Sequence, residues 1–93
     1  MVLFDLLGRR WIMRVIWELR EAPRGFRELQ AACGGMSPSV LNQRLADLQE
    51  ALIVEGHDDG RYQLTARGRQ LLKLFPALNR WAESWAKALP RRR

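Results

Sequence analysis

The sequence has few of the side chains that form disulfides or hold metal ions. Its 93 residues include one cysteine, Cys33, and one histidine, His57. A lone cysteine cannot form an intramolecular disulfide, and structural zinc sites take four ligands drawn mainly from cysteine and histidine. The sequence therefore predicts no disulfide, no metal site and no bound cofactor.

Motifs of the common enzyme classes are also missing from the sequence. It has no glycine-rich phosphate loop, no HExxH motif and no GxSxG motif, each of which serves a particular chemistry. Cys33 and His57 lie far apart in the sequence, so they do not suggest a nucleophile and its base. We therefore predict that the protein is not an enzyme and has no catalytic residues, and that Cys33 is an inert core residue.

No hydrophobic run is long enough to cross a membrane. The apolar start, MVLFDLLG, is too short for a signal peptide or a membrane helix and lacks a basic lead-in. We therefore expect a cytoplasmic protein without a membrane partner.

Positive charge is present in excess. Sixteen lysines and arginines stand against ten acidic residues, which gives a formal net charge of +6. Arginines cluster at residues 8–10, 23–27, 61–69 and 91–93. An excess of this kind favours a polyanionic partner, and nucleic acid comes first among these.

The length and the 47% hydrophobic content predict one globular domain over residues 1–93. Ile12, Val15, Ile16 and Leu19 have helical spacing, and Pro23 ends that helix. A short helix, FRELQAAC, comes next.

A glycine turn then separates the short helix from a longer one. Gly34 and Gly35 allow a tight reversal, while Ser37 and Pro38 read as the N-cap and first residue of a helix over about 37–52. We call this longer helix the recognition helix. A short helix, a turn and a capped helix in this order predict a helix-turn-helix.

The period changes after the recognition helix. The segment from about 53 to 65 contains β-forming residues around an Asp59-Gly60 turn, which predicts a hairpin wing. Thr65 then caps a final helix over about 66–89, which Pro76 should kink or split. The predicted fold is mostly α with a small β-hairpin wing, in the order of a winged helix-turn-helix.

The recognition helix has an unusual polar side. Leu41, Leu45 and Leu48, followed by Leu52, form its apolar stripe. The side away from the stripe carries short or amide side chains, which suit a helix that reads base edges in the major groove of DNA. We call this set the polar face: Ser39, Asn42, Gln43 and Ala46. Asp47 and Glu50 come later and are expected at the outer end of the helix, because carboxylates repel phosphate.

Phosphate contacts would fix the register of the protein on DNA. The residues predicted to make them are Arg24, Arg27, Ser37, Arg44 and Arg61. Two aspartates at the wing tip argue against deep insertion into the minor groove, so Arg61 should touch the DNA backbone instead.

The final helix also carries an apolar arc wider than one small core requires.

The segments GRRWIMRVIWEL, GFRELQAACGGMSPSVLNQRLADLQEALIVE and RYQLTARGRQLL resemble successive motifs of HxlR-type bacterial transcriptional regulators. The resemblance runs from about Leu7 to Trp85. It implies a winged-helix homodimer on a pseudo-palindromic operator, with the N- and C-terminal helices forming the dimer contact. It places Trp81 and Trp85, with Trp17 and Met13, at or near that contact, and the apolar arc of the final helix adds Leu74 and Leu78 to the predicted interface. The cysteine that many members carry before the first motif is absent, so no thiol switch is carried over.

The leading hypothesis is a sequence-specific regulator of transcription that binds double-stranded DNA. The alternative is a winged-helix module that binds another protein and has no DNA specificity. A small-molecule effector between two protomers also stays open. The sequence does not identify the operator, the regulated genes or the direction of regulation.

Overall fold

The computed structural model describes residues 2–90. Met1 and arginines 91–93, which supply part of the predicted positive charge, lie outside the described residues. The elements in chain order are α1 Val2–Leu7, α2 Ile12–Glu18, β1 Arg24–Gly25, α3 Phe26–Ala32, α4 Pro38–Glu50, β2 Val54–Gly56, β3 Arg61–Leu64, α5 Ala66–Leu72 and α6 Phe75–Ala88. This mostly helical chain with a small antiparallel sheet confirms the predicted fold class.

Helix α2 forms the centre of the hydrophobic core. Its stripe of Ile12, Val15 and Ile16 is completely buried, as its spacing predicted. The other elements pack leucines and valines around it. The same buried cluster also contains Leu29, Leu41, Leu45, Leu48, Val54 and Leu64.

The turn between α3 and α4 has the geometry that the glycine pair predicted. Gly34 and Gly35 have φ values of 78° and 79°, in the left-handed region that glycine tolerates best. Gln30 Nε2 donates a 2.9 Å hydrogen bond to the Met36 carbonyl, and Ser37 Oγ accepts from Val40 N at 3.3 Å. These bonds fix where α4 begins relative to α3.

The three strands run in the order β1–β3–β2, and both pairs are antiparallel. The β2–β3 hairpin is the predicted wing. Strand β1 was not predicted, because its two residues, Arg24 and Gly25, carry no strand pattern. They become a strand only because they pair with Tyr62 and Arg61, which is a tertiary contact.

The predicted final helix is divided in two. Residues 73 and 74 separate α5 from α6, and Pro76 lies in the first turn of α6, where its missing N–H costs little. Thr65 Oγ1 accepts a 3.0 Å hydrogen bond from Gly68 N and donates one of 2.6 Å to the Leu52 carbonyl. Leu52 does not extend the apolar stripe of α4. It is exposed with a φ of 63°, because the helix ends at Glu50 and the chain turns toward β2.

Helix α6 differs from the other helices because none of its side chains is buried in the single chain. Trp81 and Trp85 are 61% and 51% exposed. Within residues 2–90, none of the helices is long and apolar enough to cross a membrane.

Candidate nucleic-acid interface

The polar face of α4 points away from the core. Its four members, Ser39, Asn42, Gln43 and Ala46, are all exposed, whereas Leu41, Leu45 and Leu48 on the opposite side are buried. The capping bond of Ser37 and the glycine turn place this face as the outward side of the second helix of a helix-turn-helix. That is the position from which such a helix contacts base edges.

The two amide side chains of the polar face have different surroundings. Gln43 Nε2 donates a 3.0 Å hydrogen bond to Asp47 Oδ1, one helical turn further on. The side chain of Asn42 makes no hydrogen bond to another part of residues 2–90, and it is exposed. Asn42 is therefore free to rotate, while Gln43 is held.

The sequence suggested that Asp47 lies at the outer end of α4, but the structure buries this side chain. It is 8% exposed and binds two arginines, with 3.0 Å from Arg9 Nη1 to Oδ1 and 2.9 Å from Arg44 Nη1 to Oδ2. Burial by itself would raise the pKa of the Asp47 carboxyl. The hydrogen bonds from Gln43 and Arg9 and the charges of Arg9 and Arg44 outweigh it and hold that pKa below its usual value.

The arginines predicted to contact phosphate are held to different degrees. Arg24 is half-buried, and its Nε donates to the Glu18 carbonyl at 2.8 Å. Arg44 is half-buried against Asp47. Arg27 is exposed and forms no side-chain hydrogen bond or ion pair within residues 2–90, so its guanidinium is the most available of the predicted set.

The tip of the wing contains an ion pair between Arg61 and Asp59. Arg61 Nε donates to Asp59 Oδ2 at 2.8 Å, and the Arg61 backbone N–H donates to Asp59 Oδ1 at 3.0 Å. These two bonds, the backbone one first, lower the pKa of the Asp59 carboxyl despite slight desolvation. Arg61 therefore cancels one of the two negative charges that would oppose phosphate at the tip.

A second surface lies on α6. Four residues of the predicted dimer contact lie on this helix or just before it, and all four are exposed. We call them the apolar face: Leu74, Leu78, Trp81 and Trp85. Beside this face, Trp17 is 40% exposed and Met13 is half-buried. Both line an open cleft of about 550 Å³ between α2 and α6, together with Phe75, Pro76, Leu78, Asn79 and Ala82.

Cys33 is 2% exposed in the core, and its thiol is free. Burial, followed by the nearby Glu18 carboxylate, raises the pKa of this thiol, although Arg14 and Arg24 act in the other direction. A buried thiol with a raised pKa reacts slowly. Within residues 2–90, no three histidine, cysteine, aspartate or glutamate side chains are arranged to hold a metal ion.

The sequence did not predict the ion pair between Arg9 and Asp47. The spacing of Gln43, Arg44 and Asp47 at i, i+1 and i+4 was a usable signal, because side chains three or four residues apart meet on a helix. Arg9 lies on another element, in the connection between α1 and α2, and no local pattern links it to α4.

Comparison with known proteins identifies the type of domain. The profile of the HxlR-like helix-turn-helix family matches residues 6–90. The chain is 30% identical over 90 residues to the HTH-type transcriptional regulator YodB of Bacillus subtilis, covering 90% of this chain and 80% of YodB. It is 29% identical over 87 residues to the HTH-type regulator YvaP of the same organism, covering 87% of this chain and 81% of YvaP.

Solved structures agree with these relatives. The quinone-bound form of YodB matches with a TM-score of 0.84 and 32% identity, over 89% of this chain and 93% of that one. The reduced form of YodB matches with a TM-score of 0.83 and 28% identity, over 96% and 93%. The relatives are transcriptional regulators, in agreement with the expectation that this chain is not an enzyme. The match over residues 6–90 shows that the chain belongs to the HxlR-like helix-turn-helix family of DNA-binding transcriptional regulators.

Proposed function

We propose that the protein acts as a homodimer that binds a specific double-stranded DNA sequence, with α4 in the major groove. The observation that carries this proposal is the outward polar face of α4, which exposes Asn42 and Gln43 and includes no carboxylate. Amide side chains can bond bidentately to adenine, while the small Ser39 and Ala46 permit close approach to the bases.

Phosphate contacts supply the salt-dependent part of the affinity in this proposal. Arg27 is its main phosphate ligand, since its side chain is exposed and carries no internal partner within residues 2–90. Arg61 approaches the DNA backbone from the wing, Ser37 and Arg44 lie on α4 itself or at its N-cap, and Arg24 lies in β1 just before α3. Arg44 and Arg61 would exchange or share their present contacts with Asp47 and Asp59 on binding.

Dimerisation joins two copies of α4 to one operator. Two symmetry-related recognition helices bind half-sites about one helical turn apart, so the operator is a pseudo-palindrome. The apolar face of α6 supports this arrangement, because a soluble chain seldom leaves several large apolar side chains exposed side by side. Met13 and Trp17 border that face and would lie at its edge.

The cleft between α2 and α6 supports control of the dimer by a small apolar molecule. Its lining is mainly Met13, Trp17, Phe75 and Leu78, and apolar lining with a few polar groups is usual for ligand sites. A quinone is bound in one structure of the relative YodB. Quinones and other small apolar ring compounds are therefore the first class of effector to test, by titration of tryptophan fluorescence.

The alternative, a module that binds another protein through α6, is separated by one experiment. Full-length protein is used to select bound duplexes from a random DNA pool, and the winners are measured by gel shift at several salt concentrations. We expect an inverted repeat with half-sites about 10 base pairs apart, and an affinity that falls steeply with salt. No enriched sequence, together with weak binding equal to that of random DNA, would favour the protein-binding module.

A further inference from the structure

Asp47 is the one acidic side chain that is buried among residues 2–90. A buried carboxylate is costly unless its oxygens are bonded to donors. Both oxygens have partners here: Oδ1 accepts from Gln43 Nε2 and forms an ion pair with Arg9 Nη1, each at 3.0 Å, and Oδ2 accepts from Arg44 Nη1 at 2.9 Å. The carboxylate thus joins the polar face of α4 to a residue outside that helix.

The bond to Asp47 fixes which end of the Gln43 amide points outward. A carboxylate only accepts hydrogen bonds, so the amide nitrogen must face it and the amide oxygen must point elsewhere. One N–H and the carbonyl oxygen of Gln43 are left unused by this bond. Those two groups are what a glutamine needs for bidentate recognition of adenine.

Arg9 holds the same carboxylate oxygen that Gln43 contacts, but it does so from outside α4. It lies between α1 and α2, and its side chain is 47% exposed, whereas that of Asp47 is 7% exposed. Partners within α4 alone would let the carboxylate follow any rotation of its own helix. Arg9 instead ties it to the helices of the core, so that Gln43 is positioned relative to the body of the protein.

We propose that Asp47 is a positioning residue for base recognition, which selects the outward orientation of the Gln43 amide while Arg9 holds the carboxylate in place. This inference rests on the proposed function, in which α4 contacts bases. It assigns to a buried acidic group a part in sequence preference, although that group itself touches no DNA. A carboxylate that merely stabilised the fold would not affect which base pair is preferred.

The test compares Asp47→Asn with the wild type on the selected operator and its single-base variants, after circular dichroism shows that both are folded. Asparagine keeps the size of the side chain but loses the charge and one acceptor oxygen. We expect the preference at the base pair read by Gln43 to fall roughly five- to tenfold. Glu50→Gln, which removes an exposed carboxylate from the same helix, should leave that preference unchanged.

A double variant separates positioning from a general weakening of the domain. In a Gln43→Ala background, Asp47→Asn should cause no further loss of preference at that base pair, because the side chain to be oriented is gone. An equal loss in both backgrounds, or wild-type preference in Asp47→Asn, would overturn the inference while the proposed function stands. Failure of the wild type to select any sequence would overturn both.

A measurement without DNA covers the case in which Asp47→Asn does not fold. The side-chain amide of Gln43 is assigned in an NMR spectrum of the wild type by its loss in Gln43→Ala. We expect its hydrogen exchange to be several-fold slower than that of Gln70, an exposed glutamine on α5. Equal exchange rates for the two glutamines would overturn the inference.

Discussion

Trp81 and Trp85 stack on the exposed side of α6, with their ring centroids 5.6 Å apart and their planes 14° from parallel. They are one helical turn apart, so the two indole rings form a continuous apolar surface along the helix, which we call the plate. No side chain of α6 is buried in the single chain, so the plate contributes little to the monomer core. It is the surface that the proposed homodimer would bury.

Replacing Trp81 with glutamate should weaken the homodimer. A charged side chain in the centre of an apolar contact loses the area of the indole and adds a desolvation cost. We expect a loss of about 2 kcal/mol or more in association, which is roughly 30-fold in the dissociation constant. Analytical ultracentrifugation over a range of concentrations measures it.

Lys87→Glu is the matched control for that variant. Lys87 lies on the other side of α6 from the tryptophan pair by helical spacing, so the same charge introduced there should leave dimerisation nearly unchanged. The far-ultraviolet circular dichroism of both variants should stay close to that of the wild type. A Trp81→Glu protein that dimerises as tightly as the wild type would contradict the proposed interface.

Asn42→Ala and Arg27→Ala should affect DNA binding in different ways. Asn42 is predicted to contact a base, so its loss should relax the preference at one position by about 1–3 kcal/mol. Arg27 is predicted to contact phosphate, so its loss should weaken all sequences alike and reduce the slope of log affinity against log salt by about one. Titrations of operator and random duplexes at three salt concentrations measure both effects, and identical profiles for the two variants would contradict the assignment.

Asp47 should make the free energy of unfolding depend on pH in the acid range. Its folded-state pKa is lowered from the ordinary value of 3.8, so its stabilising contribution is complete above that value. The contribution is lost as the pH falls through the folded pKa. Because Arg9 is about half exposed, we expect Asp47→Asn to lose only about 1–2 kcal/mol at pH 7.

Urea unfolding between pH 3 and 7, followed by circular dichroism, measures this contribution. The difference in unfolding free energy between wild type and Asp47→Asn should be constant near neutrality and shrink below pH 3.8. Glu50→Gln, an exposed carboxylate change on the same helix, should stay within about 0.5 kcal/mol of the wild type at pH 7. A difference that grows toward low pH would contradict the ion-pair account.

Gly68 should not accept a side chain. A Cβ built on Gly68 would clash with the backbone carbonyl of Ile53, which cannot move without disturbing the start of β2. Alanine gains about 1 kcal/mol over glycine in a helix, but overpacking against backbone typically costs about 1–3 kcal/mol or more. We expect Gly68→Ala to lower the free energy of unfolding by about 2 kcal/mol.

Gly25→Ala is the control, because a Cβ there would meet only the Glu28 carboxylate at an ordinary 3.5 Å. It should lower the free energy of unfolding by no more than about 1 kcal/mol, the usual loss when alanine replaces a favoured N-cap residue such as Gly25 of α3, measured by the same urea titration. If Gly68→Ala were as stable as Gly25→Ala, the close contact between α5 and Ile53 would not be present in solution.

Much of the fold follows from local patterns in the sequence. The stripe of Ile12, Val15 and Ile16 predicted the central helix, and the Ser37-Pro38 pair predicted the start of α4. Pro76 predicted an interruption in the final helix, and the structure divides that helix at residues 73 and 74, just before the proline. Each of these signals depends on neighbouring residues, through spacing, capping or the fixed φ of proline.

Other features depend on contacts between distant parts of the chain. Strand β1 exists because Arg24 and Gly25 pair with β3, and a segment of two residues is too short to show a strand pattern that would predict this pairing. The burial of Asp47 has the same origin, since Arg9 reaches it from the connection between α1 and α2. A charged residue late in an amphipathic helix reads as solvent-exposed until its partner is placed in space.

The sequence by itself determined the order of the main helices and the wing, the side of α4 that faces outward and the apolar side of α6, because helical and strand periods are local properties of the backbone. The tertiary structure decided how the polar face is held. Gln43 is fixed through Asp47 and Arg9, whereas Asn42 carries no such bond within residues 2–90. Two neighbouring amides that look equivalent in the sequence therefore differ in freedom, because only Gln43 bonds to the buried Asp47 carboxylate, which is held in place by arginines of two different elements.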